Sequence, residues 1–295
     1  MTPPAGEPAG DLPPPPPRRS SAPAAGKSGG GAWSDLSRRV ASTVVLLGIG
    51  VAIALATGIW LRLFISAIVA ITFWELARVT GWRHPEMHAT LFGRMRPVVL
   101  ALLAGLTLMA VLTGGAPGML AIPIVIGLIG AADRDRVSYA IFGLAILLVG
   151  DGLVHLREGL GLGAVLWTMG VVVISDTLGY FVGRTVGGPK FWPALSPKKT
   201  WSGTIAGWIG AALFGALLVA LARGGIQLIL LSPLVALAGQ MGDIAESWLK
   251  RRAGVKDSSN LIPGHGGFMD RFDAVCGAVL MVSLLDLVGL VPIEG

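Results

Sequence analysis

Long apolar blocks separated by short polar breaks occupy most of the chain. Nine of them, at 40–58, 60–80, 97–114, 117–133, 137–154, 162–183, 203–222, 226–246 and 274–292, approach the roughly 17–25 residues a helix needs to cross a bilayer. The first two form one continuous stretch. It divides near Gly58, because a single helix of that length would overshoot the hydrocarbon core. The fifth block is the weakest, interrupted near its end by Gly150 and Asp151. The pattern predicts an all-α integral membrane protein, a polytopic bundle of about nine transmembrane helices. Residues 34–160 form an N-terminal set, and residues 161–295 carry the long polar loops 184–202 and 247–273.

Composition supports this reading. Of the 295 residues, 53% are hydrophobic and 14% charged, and mean hydropathy is +0.73. Soluble domains carry about 25% charged residues. Residues 1–33 differ from the rest. They are rich in proline and glycine without apolar periodicity, which predicts a disordered tail with polyproline stretches. Gly26, Lys27 and Ser28 imitate the end of a phosphate loop, but no strand precedes them and Ser21 stands where the first glycine belongs. Cys276, the single cysteine, lies in an apolar block and reads as an inert buried thiol.

Charge placement sets the orientation. With nine crossings and a cytoplasmic N-terminus, 20 of the 23 Lys and Arg residues fall on the inner side, all but Arg62, Arg157 and Arg223. That asymmetry is what the positive-inside rule requires. Both long loops then face the cytoplasm, where nucleotides are available.

The chemistry concentrates at those loops. At the end of the eighth block, Asp243, Glu246, Ser247 and Lys250 recur at i, i+3, i+4, i+7 and share one helix face. A carboxylate near the membrane boundary must be paired or metal-bound, so this face is either a salt-bridged helix end or one wall of a site. Beyond the loop, Asp270 and Asp273 stand three apart at the start of the ninth block. There they either complement a helix dipole or serve a magnesium ion, which takes oxygen ligands and substrate phosphates. Gly264, Gly266 and Gly267 leave room for backbone amides near phosphate oxygens. His265 fits a phosphate or sugar contact, since no second His or Cys stands by to build a zinc site.

In the loop 184–202, Lys190, Lys198 and Lys199 offer point charges and Ser196 and Thr200 hydroxyls. Either hydroxyl could cap the following helix and place an anion at its N-terminus. Asp176 lies inside the sixth block, where an ionisable group is by default a functional candidate, followed on nearly the same face by Tyr180 and Gly183. Glu75 and Arg78 read as an interfacial i,i+3 pair, and His84 and His88 as loop residues meeting water or head groups. Asp286 is left unassigned.

These residues resemble the phosphatidate cytidylyltransferases, also called CDP-diacylglycerol synthases. Over the 27 residues from Ser247 to Asp273, every fixed position of that family's signature is filled: Ser247, Leu249, Lys250, Arg251, Lys256, Asp257, Ser259, Ile262, Pro263, His265, Gly266, Gly267, Phe268, Asp270, Arg271, Phe272 and Asp273. The stretch Ser196–Thr200 and the group Asp176, Tyr180 and Gly183 resemble two further family elements. The likeness covers roughly residues 165–290. Ala274 departs from the serine many members carry.

The resemblance implies that CTP and phosphatidic acid give CDP-diacylglycerol and pyrophosphate, for phospholipid biosynthesis at the inner membrane. It implies Mg²⁺, with room for a second, monovalent cation such as K⁺. Asp243 and Asp270 would be the primary metal carboxylates, supported by Asp273 and Asp176. Lys198, Lys199, Lys250, Arg251 and Arg271 would neutralise phosphates. Ser196, Thr200, Ser247, Lys256 and the His265, Gly266 and Gly267 backbone would bind substrate. No nucleic-acid partner is expected, and a homodimer is compatible with the reading. The rivals are a related membrane nucleotidyltransferase or polyprenol kinase and, from another class, a transporter of an anionic substrate.

Overall fold

The structure is a computed structural model that describes residues 48–52, 54–81, 91–130, 133–262, 266–291 and 293. The proline-rich tail, the start of the first expected span, His84, His88 and His265 lie outside the described residues.

Helices dominate, in the order α1 (Gly58–Gly81), α2 (Leu91–Leu112), a 3₁₀ turn (Pro117–Leu120), α3 (Ala121–Gly130), a second 3₁₀ turn (Asp133–Asp135), α4 (Arg136–Glu158), α5 (Leu162–Thr185), α6 (Trp201–Ala220), α7 (Leu228–Ala253) and α8 (Met269–Leu287). Among the described residues, six helices are long and apolar enough to cross a membrane: α1, α2 from Met95, α4, α5, α6 and α7. They match the second, third and fifth to eighth expected spans. Many large apolar side chains on their outer faces are exposed, among them Leu106, Leu213 and Leu230, as a lipid-facing surface requires.

The remaining spans are less simple. The first retains helical backbone at 48–52 and 54–55 among its described residues. The break falls where the sequence places it: residues 56 and 57 are non-helical and Gly58 takes a positive φ of 58°. The fourth is a 3₁₀ turn followed by a ten-residue helix. Its length is roughly 23 Å at the rises of those helix types, short of the ~30 Å hydrocarbon core. The ninth, α8, has 19 residues and ends at Leu287, carrying Asp270, Arg271, Asp273 and Asp286.

Gly150 does not weaken its helix, which runs unbroken to Glu158. Glycine is needed there for packing: a Cβ would meet Leu108 Cδ2 and Val69 Cγ2, each at 2.6 Å. Two apolar clusters hold the bundle. One joins α1, α2 and α4 through Ile65, Phe73, Leu108, Tyr139 and Leu147, and extends to Leu249 and Val279. The other joins α5 to α8 through Trp167, Val171, Val235 and Ala278. Between α5 and α7 a buried polar pair is satisfied within the bundle, as groups away from water require. Trp167 Nε1 donates to Ser232 Oγ at 2.9 Å, and Ser232 donates to the Leu228 carbonyl at 2.7 Å.

The loop 184–202 contains an element the helical pattern does not predict. Strands β1 (Lys190–Trp192) and β2 (Ser196–Thr200) pair antiparallel, Lys190 opposite Thr200 and Trp192 opposite Ser196. The hairpin leads directly into α6.

Candidate active site

Glycine packing builds the site. Between α7 and α8, a Cβ at Gly242 would meet the Asp273 carbonyl at 2.3 Å, and one at Gly277 the Ala238 carbonyl at 2.1 Å. The two backbones touch there because neither carries a side chain, the small-residue packing typical of membrane helices. This contact sets Asp243 and Glu246 of α7 against Asp273 of α8. One carboxylate oxygen from each of the three lies within 4.8 Å of the others. Glu246 is buried and the other two are half-buried. Like charges so close repel strongly unless a cation or proton lies between them, and three oxygen donors suit a hard divalent cation. The residues present therefore fit a metal ion.

Lys250 lies one turn further along α7. Its Nζ contacts Glu246 Oε2 at 2.7 Å and Asp270 Oδ1 at 2.5 Å. Asp270 is thus joined to the carboxylate group through Lys250. Its other oxygen accepts from the Gly267 amide at 2.7 Å and from the Ser258 amide and hydroxyl, both at 3.0 Å.

A second glycine contact forms the opposite wall. A Cβ at Gly203 of α6 would meet the Gly179 carbonyl of α5 at 2.4 Å, and one at Gly183 would meet Thr200 Oγ1 at 2.8 Å. Of the two expected capping hydroxyls, Thr200 takes the role: its Oγ1 accepts from the Gly203 amide at 3.3 Å. Ser196 instead opens β2. Between hairpin, α5, α6 and α7 lies a cavity of about 800 Å³ lined by Asp176, Arg184, Lys190, Lys198, Lys199, Thr200 and Asp243, among others. Lys199 Nζ contacts Asp243 Oδ2 at 2.5 Å, joining the lysine loop to the carboxylates.

The structure thus brings Asp176, Lys198, Lys199, Thr200 and Asp243 around one cavity, with Glu246, Lys250, Asp270 and Asp273 in contact behind Asp243. Ser247 stands 3.5 Å from Asp243 Oδ1. Lys256 lines a separate cavity of about 550 Å³ with Trp74 and Arg78. Arg251 and Arg271 are exposed. Gly266 pairs with Ile262, its carbonyl accepting at 2.9 Å. Gly267 has no room for a side chain, since a Cβ would meet Ser258 Oγ at 1.8 Å. Its amide is turned to Asp270, so this glycine serves the loop's own packing.

Three participants escape sequence reasoning. Glu246 is visible on the shared face but looks there like a helical partner for Lys250. Ser258 sits inside the signature at a position the signature leaves free. Glu75 has no local signal, and its carboxylate is engaged by residues nearly two hundred positions away. Arg78 lies over the Trp74 ring, 4.6 Å from its centroid.

Comparison with known proteins gives a consistent result. A family model described as the cytidylyltransferase family matches residues 37–288. A phosphatidate cytidylyltransferase of Brucella abortus is 35% identical over 266 residues, covering 88% of this chain and 96% of the relative. One from Pseudomonas aeruginosa is 35% identical over 265 residues, covering 85% and 96%. One from Staphylococcus saprophyticus is 34% identical over 161 residues, 52% of this chain and 62% of the relative.

Proposed function

The chain belongs to the cytidylyltransferase family, and from that premise we propose that its reaction takes place where the lysine-lined cavity meets the carboxylates of α7 and α8. It transfers a cytidylyl group from CTP to phosphatidate, giving CDP-diacylglycerol and pyrophosphate. The lipid's phosphate oxygen attacks the α-phosphorus of CTP. A new P–O bond forms as the bond to the bridging oxygen of the β-phosphate breaks, and pyrophosphate carries that electron pair away. No protein nucleophile is required. The task left to the protein is to hold two polyanions together and balance the charge on the leaving group.

The observation that carries this reading is the crowding of Asp243, Glu246 and Asp273 beside a cavity lined by Lys198 and Lys199. A divalent cation, Mg²⁺ in this proposal, would be held by those three carboxylates, with Asp270 joined to the same centre through Lys250. When bound it would offset negative charge on the triphosphate. Lys198, Lys199 and Lys190 supply point charges along the cavity, and Asp176 faces the same space from α5. Lys250 lies between Glu246 and Asp270, placed to exchange one of these contacts for a phosphate oxygen. Arg251, Arg271 and Lys256 are assigned to phosphates approaching from the loop side, and Ser196, Ser247, His265 and Gly266 to nucleotide orientation. Phosphatidate would enter beside Tyr180 and Phe181, both exposed on α5, and keep its acyl chains in lipid.

The same proposal places the site at the cytoplasmic face of the inner membrane. The distribution of Lys and Arg among the loops supports it, as does the location of CTP. Nine crossings would then include the 117–130 element and α8.

The test uses purified protein with phosphatidate, Mg²⁺ and CTP labelled in either the α- or the γ-phosphate. Label from the α position should enter the lipid and label from the γ position the pyrophosphate. Entry of γ label into a lipid acceptor would identify a kinase instead.

A further inference from the structure

Glu75 lies on α1, far in sequence from every residue assigned to the reaction, and is fully buried. An intramembrane carboxylate without partners would be costly, and this one has several. Its Oε1 accepts from the Ser259 hydroxyl at 2.5 Å and the Phe268 amide at 2.9 Å, and its Oε2 from the Met269 amide at 2.6 Å. Phe268 is the N-cap of α8 and makes no side-chain cap. A helix start needs acceptors for its first amides, usually supplied by a Ser, Thr, Asp or Asn at the cap. In α8 that acceptor comes from another helix.

The consequence concerns the first turn of α8, which carries Asp270 and then Asp273. The Glu75 carboxylate takes the amides of Phe268 and Met269, and Asp270 takes those of Gly267 and Ser258. Ser258 and Ser259 are consecutive, so the two carboxylates hold one loop segment from two sides. The fit is close, since a Cβ at Gly267 would lie 2.6 Å from Glu75 Oε1 and 3.0 Å from Asp270 Oδ2.

We propose that Glu75 is a positioning residue for the reaction: its carboxylate fixes the start of α8 and thereby the placement of Asp270 and Asp273 toward Lys250 and the α7 carboxylates. It touches neither substrate nor cation. The proposal rests on the cytidylyl-transfer reading, and the wild-type enzyme tests that reading separately.

Glu75→Gln is nearly isosteric, but its amide nitrogen brings a donor against either the Met269 amide or the Phe268 and Ser259 donors. Loss of a partner that orients metal ligands typically costs about 10–100-fold in cation affinity or activity. The experiment measures Mn²⁺ binding by electron paramagnetic resonance on purified protein without substrate, together with kcat, the KM for CTP and the cation-free thermal midpoint. E75Q should bind Mn²⁺ about 10-fold or more weakly and lose kcat more than KM at temperatures where the protein remains fully folded, whatever the fall in its thermal midpoint. Glu75→Asp, which keeps the charge, should recover part of the affinity. Wild-type Mn²⁺ affinity and kcat in E75Q would overturn the proposal, and so would a loss confined to thermal stability. Should E75Q fail to fold, Ser259→Ala removes one donor to the same carboxylate from the loop. It should weaken Mn²⁺ binding about threefold, the lower end of what one hydrogen bond contributes, and unchanged affinity there would overturn the proposal.

Discussion

The two ends of the bundle arrange charge differently. Where α1 begins and α4 and α8 end, each carboxylate meets a single basic side chain: Arg62 meets Glu158 at 2.8 Å, and the His155 ring meets Asp286 at 2.8 Å. Glu158 also accepts from the Gly58 amide at 2.8 Å, tying the end of α4 to the start of α1. The other end also has a simple pair, Arg252 with Asp135 at 3.1 Å. There, however, Asp243, Glu246 and Asp273 crowd within 4.8 Å of one another, although Lys199 contacts the first and Lys250 the second. Paired charges tie helix ends together and ask for nothing further. Crowded like charges call for a cation or a proton between them. Sequence distance does not separate the two cases, because His155 and Asp286 are 131 positions apart yet form a simple pair.

Substitutions can break this contrast. The largest effect is expected for Asp243→Asn or Asp273→Asn, each of which relieves the crowding and removes a proposed cation ligand. CDP-diacylglycerol formation should fall beyond the ~100-fold that loss of an outer partner causes, with the folded protein retained in gel filtration. Next comes Gly277→Ala, whose Cβ would press on the Ala238 carbonyl and push α8 from α7. Overpacking of this kind costs about 1–3 kcal/mol, read as a lower thermal midpoint, and activity should drop with it. Lys199→Met removes a contact to Asp243 and a positive charge from the cavity. A charged hydrogen bond contributes about 1.5–3 kcal/mol, so kcat/KM should fall roughly 10–100-fold. Asp286→Asn should do least. Exposed ion pairs contribute about 0–1 kcal/mol, and turnover should remain at the wild-type level. A large activity loss from D286N would erase the distinction between the two ends.

The readable parts of the sequence were those whose information is local. Asp243, Lys250, Asp270 and Asp273 stand at fixed short spacings around one polar run, and Asp176 and Lys199 stand out against apolar or membrane-flanking surroundings. The six long helices follow from block length alone. Four features were hidden for physical reasons. Glu75 acts through backbone amides 193 and 194 positions away, and next to Arg78 it resembles an ordinary helical pair. Gly150 looked like a helix breaker because its value lies in the side chains of α1 and α2 that need its space. The hairpin has strands of three and five residues, with Pro197 inside one, too short for any alternation to register. Glu246 was legible as a position but not as a ligand, since an i,i+4 lysine explains a glutamate equally well until Asp273 arrives from another helix.

The central claim is that the carboxylates of α7 and α8 form one divalent-cation centre beside the lysine-lined cavity. Mn²⁺ binding to purified wild-type and D273N protein, measured by electron paramagnetic resonance without substrate, tests it most directly. The account expects a saturable site in the wild-type protein that D273N loses. Equal binding by the two proteins would contradict it.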